Sequence, residues 1–155
     1  MAVSVLGPLT RQGRVCEPIL RSLPDWFGIE EATQHYVEQT ETLPTFTAYR
    51  DGDAVGFLTL RLHNAYAAEI AVMGVRPALH RKGIGRALLA SAETYLRDLG
   101  ISYLQVKTLS ASRPDASYAK TREFYLAAGF LPLEEFRELW GEANPCLQMI
   151  RYLSR

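Results

Sequence analysis

A mixed α/β fold is the class this sequence predicts, on three observations. Thr45 to Tyr49 and Val55 to Leu62 read as strands around an Asp51-Gly52 turn, a favoured hairpin dipeptide. Ala67 to Val75 is nearly apolar throughout, as expected of a central strand. Beyond Pro77, Ile84, Leu88, Ala92, Tyr95 and Leu99 recur at helical spacing. Hairpin, buried strand and amphipathic helix in direct succession imply helices layered on a sheet.

The remaining elements follow from local signals. Ala2 to Leu6 reads as a short strand. Residues 11–22 and 30–41 read as helices, with Ile19, Leu20 and Leu23 in the first and Ala32, Tyr36 and Val37 in the second. Pro24-Asp25-Trp26-Phe27-Gly28 separates them as a loop. In the hairpin's second strand, Leu58, Leu60 and Leu62 alternate with Phe57, Thr59 and Arg61 at the strand period. Asn64-Ala65 is the next turn. Glu69 interrupts the apolar strand, and Gly74 near its end marks a bulge or a close backbone approach. Gly100 ends the long helix as a left-handed cap. Ile101 to Thr108 is a strand, Ser110 to Ser117 a polar loop, and Ala116 to Ala128 a helix closed by Gly129. Phe130 to Phe136 and Cys146 to Leu153 are the last strands, joined by a loop holding Trp140, Gly141, Asn144 and Pro145. The order is β, α, α, β, β, β, α, β, α, β, β.

With 155 residues and no repeat or linker, the expectation is one domain over 1–155. The 17 basic and 17 acidic residues cancel, which argues against a nucleic-acid partner. Apolar runs fall short of a membrane span and the N-terminus lacks a signal peptide's basic region, so a cytoplasmic protein without membrane partners is expected. Cys16 and Cys146 make neither a disulfide framework nor a zinc cluster; they read as small half-buried residues of a reduced compartment. His35, His63 and His80 lack a metal-ligand spacing and read as surface or structural histidines, so no metal is expected.

The chemistry-bearing stretch is His80-Arg81-Lys82-Gly83-Ile84-Gly85-Arg86. Glycines at a helix start, with cations beside them, make a site for a phosphate-bearing ligand. Three designs compete. A Walker A loop needs four residues between its glycines and a Lys-Ser/Thr afterwards; here one residue intervenes and Arg86-Ala87 follows. A dinucleotide fingerprint needs a third glycine and an acid ending the next strand; here Leu88 and Gln105-Val106-Lys107-Thr108 stand there. In the third, the strand, Val75-Arg76-Pro77, the basic Gly-x-Gly and the helix resemble the acyl-CoA signature of the GNAT family of N-acetyltransferases. Phe124-Tyr125-Leu126-Ala127-Ala128-Gly129-Phe130 is similar to that family's FYxxxGF ending. The resemblance spans roughly residues 45–136 and implies a mixed, mostly antiparallel central sheet flanked by helices.

The resemblance also implies acetyl transfer from acetyl-CoA, as cosubstrate, to a primary amine of a small molecule or peptide, by direct attack. Amides across Lys82 to Arg86 would hold the pyrophosphate, with Gly83, Ile84 and Gly85 forming the turn and Arg81, Lys82 and Arg86 adding charge. Met73 and Val75 would bond the pantetheine arm through the main chain, Met73 serving as oxyanion donor. Glu69 stands where several members carry a base. Tyr125 matches the general acid for the leaving thiolate. Two positions depart from the family pattern: His80 replaces the usual Gln or Arg, and Tyr118 replaces an asparagine. Acceptor-facing segments would be Trp26-Phe27-Gly28-Ile29-Glu30-Glu31, Ser110 to Tyr118 and Glu134 to Trp140, where aromatics beside carboxylates suit a cationic amine. A non-catalytic acyl-CoA sensor is the alternative. A homodimer is the assembly considered.

Overall fold

A computed structural model describes residues 2–153. In chain order it comprises β1 (Ser4–Leu9), α1 (Gly13–Arg21), α2 (Glu30–Thr42), β2 (Thr45–Arg50), β3 (Asp53–Leu62), β4 (Ala67–Val75), a 3-10 turn (Pro77–Leu79), α3 (Ile84–Asp98), β5 (Tyr103–Leu109), α4 (Ala116–Ala127), β6 (Leu131–Phe136) and β7 (Cys146–Tyr152). The strands form a 7-stranded sheet in the order β1-β2-β3-β4-β5-β7-β6. Only β4 and β5 run parallel, with α3 as the crossover between them. This is the mixed, mostly antiparallel sheet expected.

Local chemistry explains the boundaries. Asp51 and Gly52 both take positive φ, 52° and 83°, which suits the two-residue turn joining β2 to β3. Helix α1 begins without a side-chain cap of its own, but Glu41 of α2 accepts from the Gly13 amide at 2.9 Å. Glu30 and Glu31 place negative charge at the positive end of α2. Asp115 caps α4 by accepting from the Tyr118 amide at 3.0 Å. Helices α3 and α4 close alike: Gly100 and Gly129 take left-handed φ, and the amides of Ile101 and Phe130 reach back to Leu96 and Tyr125 at 3.0 Å. Ile101 therefore belongs to the cap, and β5 starts two residues later than expected. Strand β1 lies slightly downstream of its expected place.

Two apolar clusters hold the sheet from opposite faces. Leu58, Leu60, Ile70, Leu104 and Val106 pack with Leu88, Ala92 and Leu96 of α3 and with Tyr125 and Phe130. Phe57 and Val72 pack with Cys16, Ile19, Leu20 and Leu23 on the α1 side. Strand β3 is thus buried on both faces from Val55 to Leu60, Phe57 and Thr59 being covered as fully as Leu58 and Leu60. Cys16 and Cys146 are wholly buried rather than half-buried, and burial pushes their thiols up to about 12 and about 11.

Gly74 is not the bulge. The register passes from Thr59↔Val72 to Leu60↔Ile70, so the extra residue is Ala71. Gly74 instead permits a close approach: a Cβ there would lie 3.0 Å from Leu23 and 3.3 Å from Phe57.

Glu93 of α3 is a buried acid, with Arg151 Nη1 of β7 at 2.8 Å and Arg97 at 3.7 Å. Arg151 Nη1 also donates to the Ala128 carbonyl at 2.6 Å, joining α3, the end of α4 and β7. Removing one partner of a buried ion pair strands the other charge. Arg151→Met is expected to lower stability by about 3 kcal/mol, read from urea denaturation. A loss below about 0.5 kcal/mol would show that Arg97 alone satisfies Glu93.

Candidate active site

The bulge at Ala71 creates the site. β4 and β5 pair from Ala67↔Tyr103 to Ile70↔Val106, whereas β4 continues to Val75 and β5 to Leu109. Beyond Ile70 the two strands have no mutual register, and a wedge opens between them. On its other edge β4 stays bonded to β3 through Val75. Backbone polar groups facing the wedge therefore lack a strand partner, a condition that invites a ligand with peptide-like groups. A cleft of about 1480 Å³ fills this space, lined by Met73, Val75, Val106, Thr108, Phe124 and Tyr125, among others.

Helix α3 meets one end of the wedge. Gly83 is its N-cap with φ 83°, a left-handed conformation that glycine adopts without strain. The helix has no side-chain cap and no acid in its first turn, so its leading amides point outward unsatisfied. Gly85 is required for a different reason. A Cβ there would sit 3.0 Å from two ring atoms of Phe124 and 3.3 Å from the Met73 methyl. Arg81, Gly83, Ile84, Gly85 and Arg86 all line the cleft, with the Ile84 side chain buried; Lys82 is exposed and outside the lining. The Arg86 guanidinium is committed to the Ala127 carbonyl at 2.8 Å, where it caps α4.

Tyr125 reaches the cleft from α4 and is 6% exposed. Its ring stands edge-on to Phe124 and Phe130, at centroid distances of 5.4 and 5.3 Å. Burial drives its hydroxyl well above the usual phenol range, with Tyr118 adding a smaller push. The group is a phenol held in its proton-donating form.

The two departures from the family pattern have defined structural roles. His80 Nε2 lies 2.6 Å from the Val75 carbonyl, and its ring meets Trp26 edge-on at 5.6 Å. Tyr118 donates to the Trp26 carbonyl at 3.1 Å, and the Trp26 indole donates to Thr121 at 2.9 Å. The loop between α1 and α2 is thereby pinned to α4. Burial pushes the Tyr118 hydroxyl up to about 12, so it remains a donor.

Glu69 stands on the paired part of β4. Its side chain is 12% exposed, with His63 Nε2 at 2.7 Å from Oε1 and Lys107 Nζ at 3.0 Å from Oε2. All three residues line the same cleft. Sequence reading singled out neither His63 nor Lys107 as a site residue. His63 follows the end of β3, and Lys107 lies two residues beyond Gln105, the partner of Glu69 across β4 and β5. Thr108 was missed too; its buried hydroxyl has no partner among the described residues.

The expected acceptor wall is only partly realised. Trp26, Phe27, Gly28 and Ile29 line the cleft, as do Arg113, Asp115, Tyr118, Leu139 and Trp140. Glu30 and Glu31 are outside the lining, and Arg21 holds Glu30 at 2.7 Å. Glu134, Glu135 and Glu138 are outside it as well. Of the carboxylates expected beside the aromatics, Asp115 alone lines the cleft, and it caps α4. Among the described residues no group of three or more His, Cys, Asp or Glu could hold a metal ion. No described helix is long and apolar enough to cross a membrane.

Comparison with known proteins agrees with this architecture. The family model described as acetyltransferase (GNAT) matches residues 16–130. A mycothiol acetyltransferase of Thermomonospora curvata is 33% identical over 69 residues, which cover 44% of this chain and 23% of that protein. The match thus spans under a quarter of that relative's length. A putative GNAT acetyltransferase from Desulfovibrio desulfuricans superposes with a TM-score of 0.86 at 19% identity, covering 99% of this chain and 100% of that one. The PaiA N-acetyltransferase of Thermoplasma acidophilum, solved in complex with coenzyme A, superposes with a TM-score of 0.75 at 16% identity, covering 98% and 99%.

Proposed function

The chain belongs to the acetyltransferase (GNAT) family, and from that premise we propose that it transfers an acetyl group from acetyl-CoA to a primary amine by direct attack. One observation carries the proposal: an uncapped helix N-terminus at Gly83-Ile84 and a splayed strand ending at Val75 share one cleft with a buried, protonated tyrosine.

The residues present fit the cosubstrate. The bare amides of α3 suit a pyrophosphate, and Gly85 leaves room where any Cβ would press on Phe124. Beyond its pairing with β5, the edge of β4 at Met73 and Val75 suits the amide-bearing pantetheine arm, which enters as a surrogate strand, although the Val75 carbonyl already meets His80. A structure similar in fold carries coenzyme A. In this reading Arg81 adds charge to the phosphates, while Arg86 works chiefly by fixing α4.

The chemistry divides among three groups. An alkyl ammonium, with a pKa near ~10, must lose a proton before it can attack. Glu69 supplies the carboxylate of the base. The thioester oxygen gains charge as the tetrahedral intermediate forms, and the Met73 amide meets it. When the C–S bond breaks, Tyr125 gives its proton to the thiolate sulfur and recovers one from the amide-forming nitrogen through solvent. Neither cysteine serves as an acyl carrier, because both thiols are buried and protonated.

Calorimetric titration with acetyl-CoA, NAD and ATP, followed by an amine panel scored by CoA release, tests the proposal. Acetyl-CoA is expected to bind, and at least one alkyl amine to release CoA. NAD or ATP binding without CoA binding overturns the reading. CoA binding with no release across the panel favours a sensor.

A further inference from the structure

Both oxygens of Glu69 are already engaged, His63 Nε2 lying 2.7 Å from Oε1 and Lys107 Nζ 3.0 Å from Oε2. A carboxylate whose two oxygens already hold an imidazole and an ammonium must give up one of those contacts before it can take a proton from an acceptor. The imidazole on its other side ionises in the neutral range when unperturbed. From this geometry we infer that the base is the His63–Glu69 pair, with the proton landing on His63. The inference rests on the acetyl-transfer reading above.

With Glu69 ionised, the neutral imidazole bonds it through Nε2–H. The lone pair then resides on Nδ1, for which the structure shows no hydrogen-bond partner among the described residues. His63 lines the cleft and its side chain is 34% exposed, so an acceptor amine, or one water carrying its proton, has access. This is the arrangement of a base oriented by a carboxylate. Lys107 is the third member: its ammonium, 3.0 Å from Oε2, fixes Glu69 in place. Arg61 of β3, opposite Glu69 in register, and His35 of α2 also line the cleft, and the buried Cys146 thiol of β7 feels the charges of both Lys107 and Glu69.

The proton balance closes. The ammonium gives its first proton to His63 Nδ1, and the imidazolium is stabilised by Glu69. The freed nitrogen attacks the thioester carbon. The second nitrogen proton passes to solvent and replaces the one that Tyr125 gives to sulfur. His63 then releases its proton to water, so each turnover yields the amide, CoA with its thiol, and one proton. Glu69 is a positioning residue in this scheme and His63 the catalytic one.

Two substitutions separate this from a base made of Glu69 alone. With an alkyl amine identified in the panel, His63→Gln is expected to lower kcat/KM about 100-fold at pH 7, with acetyl-CoA affinity unchanged. The rising limb of its pH profile should move from the imidazole range to that of the free amine. Glu69→Gln should retain a rising limb, because the imidazole that takes the proton remains. A glutamate base predicts the reverse: the limb survives His63→Gln and vanishes in Glu69→Gln. That result overturns the inference and leaves acetyl transfer standing, whereas failure to bind acetyl-CoA overturns acetyl transfer itself. A nitrogen-15 NMR titration of the whole protein needs no acceptor. It should show His63 as the neutral Nε2–H tautomer at pH 8, and an imidazolium persisting at that pH would exclude Nδ1 as the base.

Discussion

Tyr125→Phe is expected to lower kcat/KM about 100-fold near neutral pH, while acetyl-CoA binds within about twofold of its original affinity. The two effects separate because the ring and the hydroxyl do different work. Phenylalanine keeps the edge-on contacts to Phe124 and Phe130, so the wall of the cleft stays in place. Only the proton for the leaving sulfur is lost. A thiol ionises near pH ~8.5, so a thiolate gains from protonation mainly below that value. The deficit should therefore shrink as the pH is raised. Initial rates from pH 6.5 to 9.5, with calorimetric Kd values alongside, measure both features. Unchanged turnover removes Tyr125 from the mechanism; equal losses of affinity and rate make it a packing residue.

The second large effect is at Gly85. Gly85→Val should weaken acetyl-CoA binding about 100-fold, the equivalent of about 3 kcal/mol. The added methyls must displace the Phe124 ring and the Met73 methyl, which stand 3.0 and 3.3 Å from the position of a Cβ. Both neighbours border the wedge, so the distortion falls where the pantetheine arm would lie. Gly83→Ala provides a contrast. Nothing lies within 4 Å of its Cβ position, but φ 83° must be maintained by a residue that resists it. The expected loss there is about 1–2 kcal/mol, expressed in the melting temperature of the free protein as well as in affinity. Affinity retained in Gly85→Val would place the ligand elsewhere in the cleft.

Much of the fold was legible because its signals are local. Asp51-Gly52 announces its turn, Gly100 and Gly129 announce helix ends, and the spacing from Ile84 to Leu99 announces α3. What escaped was pairing. Nothing in residues 67–75 says that Ala71 is the unpaired residue; Gly74 is the more conspicuous choice, and it turns out to make room for Leu23 and Phe57. The double burial of β3 also depends on helices far away in sequence. The site divides in the same way. Gly83, Gly85 and Tyr125 sit in contiguous motifs and can be read directly. His63 and Lys107 are 6 and 38 residues from Glu69, and only the strand register brings them to one carboxylate. Glu30 and Glu31 illustrate the opposite error. They adjoin Trp26 and Phe27 in sequence, yet the start of a helix turns them away from the cleft.

The bulge at Ala71 divides β4 into two segments of opposite phase. Before it, Ala68 and Ile70 face the α3 side and Glu69 the other; after it, Val72 faces α1. The strand is therefore more sensitive to length than to spelling. A substitution changes one side chain and leaves the phase of the rest intact. Loss of one residue from β4 would instead return the strand to a single phase, carry β4 and β5 on in register, and zip the cleft shut. A substitution here is judged at its own position, as at Glu69 or Gly74, but a change in the count is felt along the whole strand.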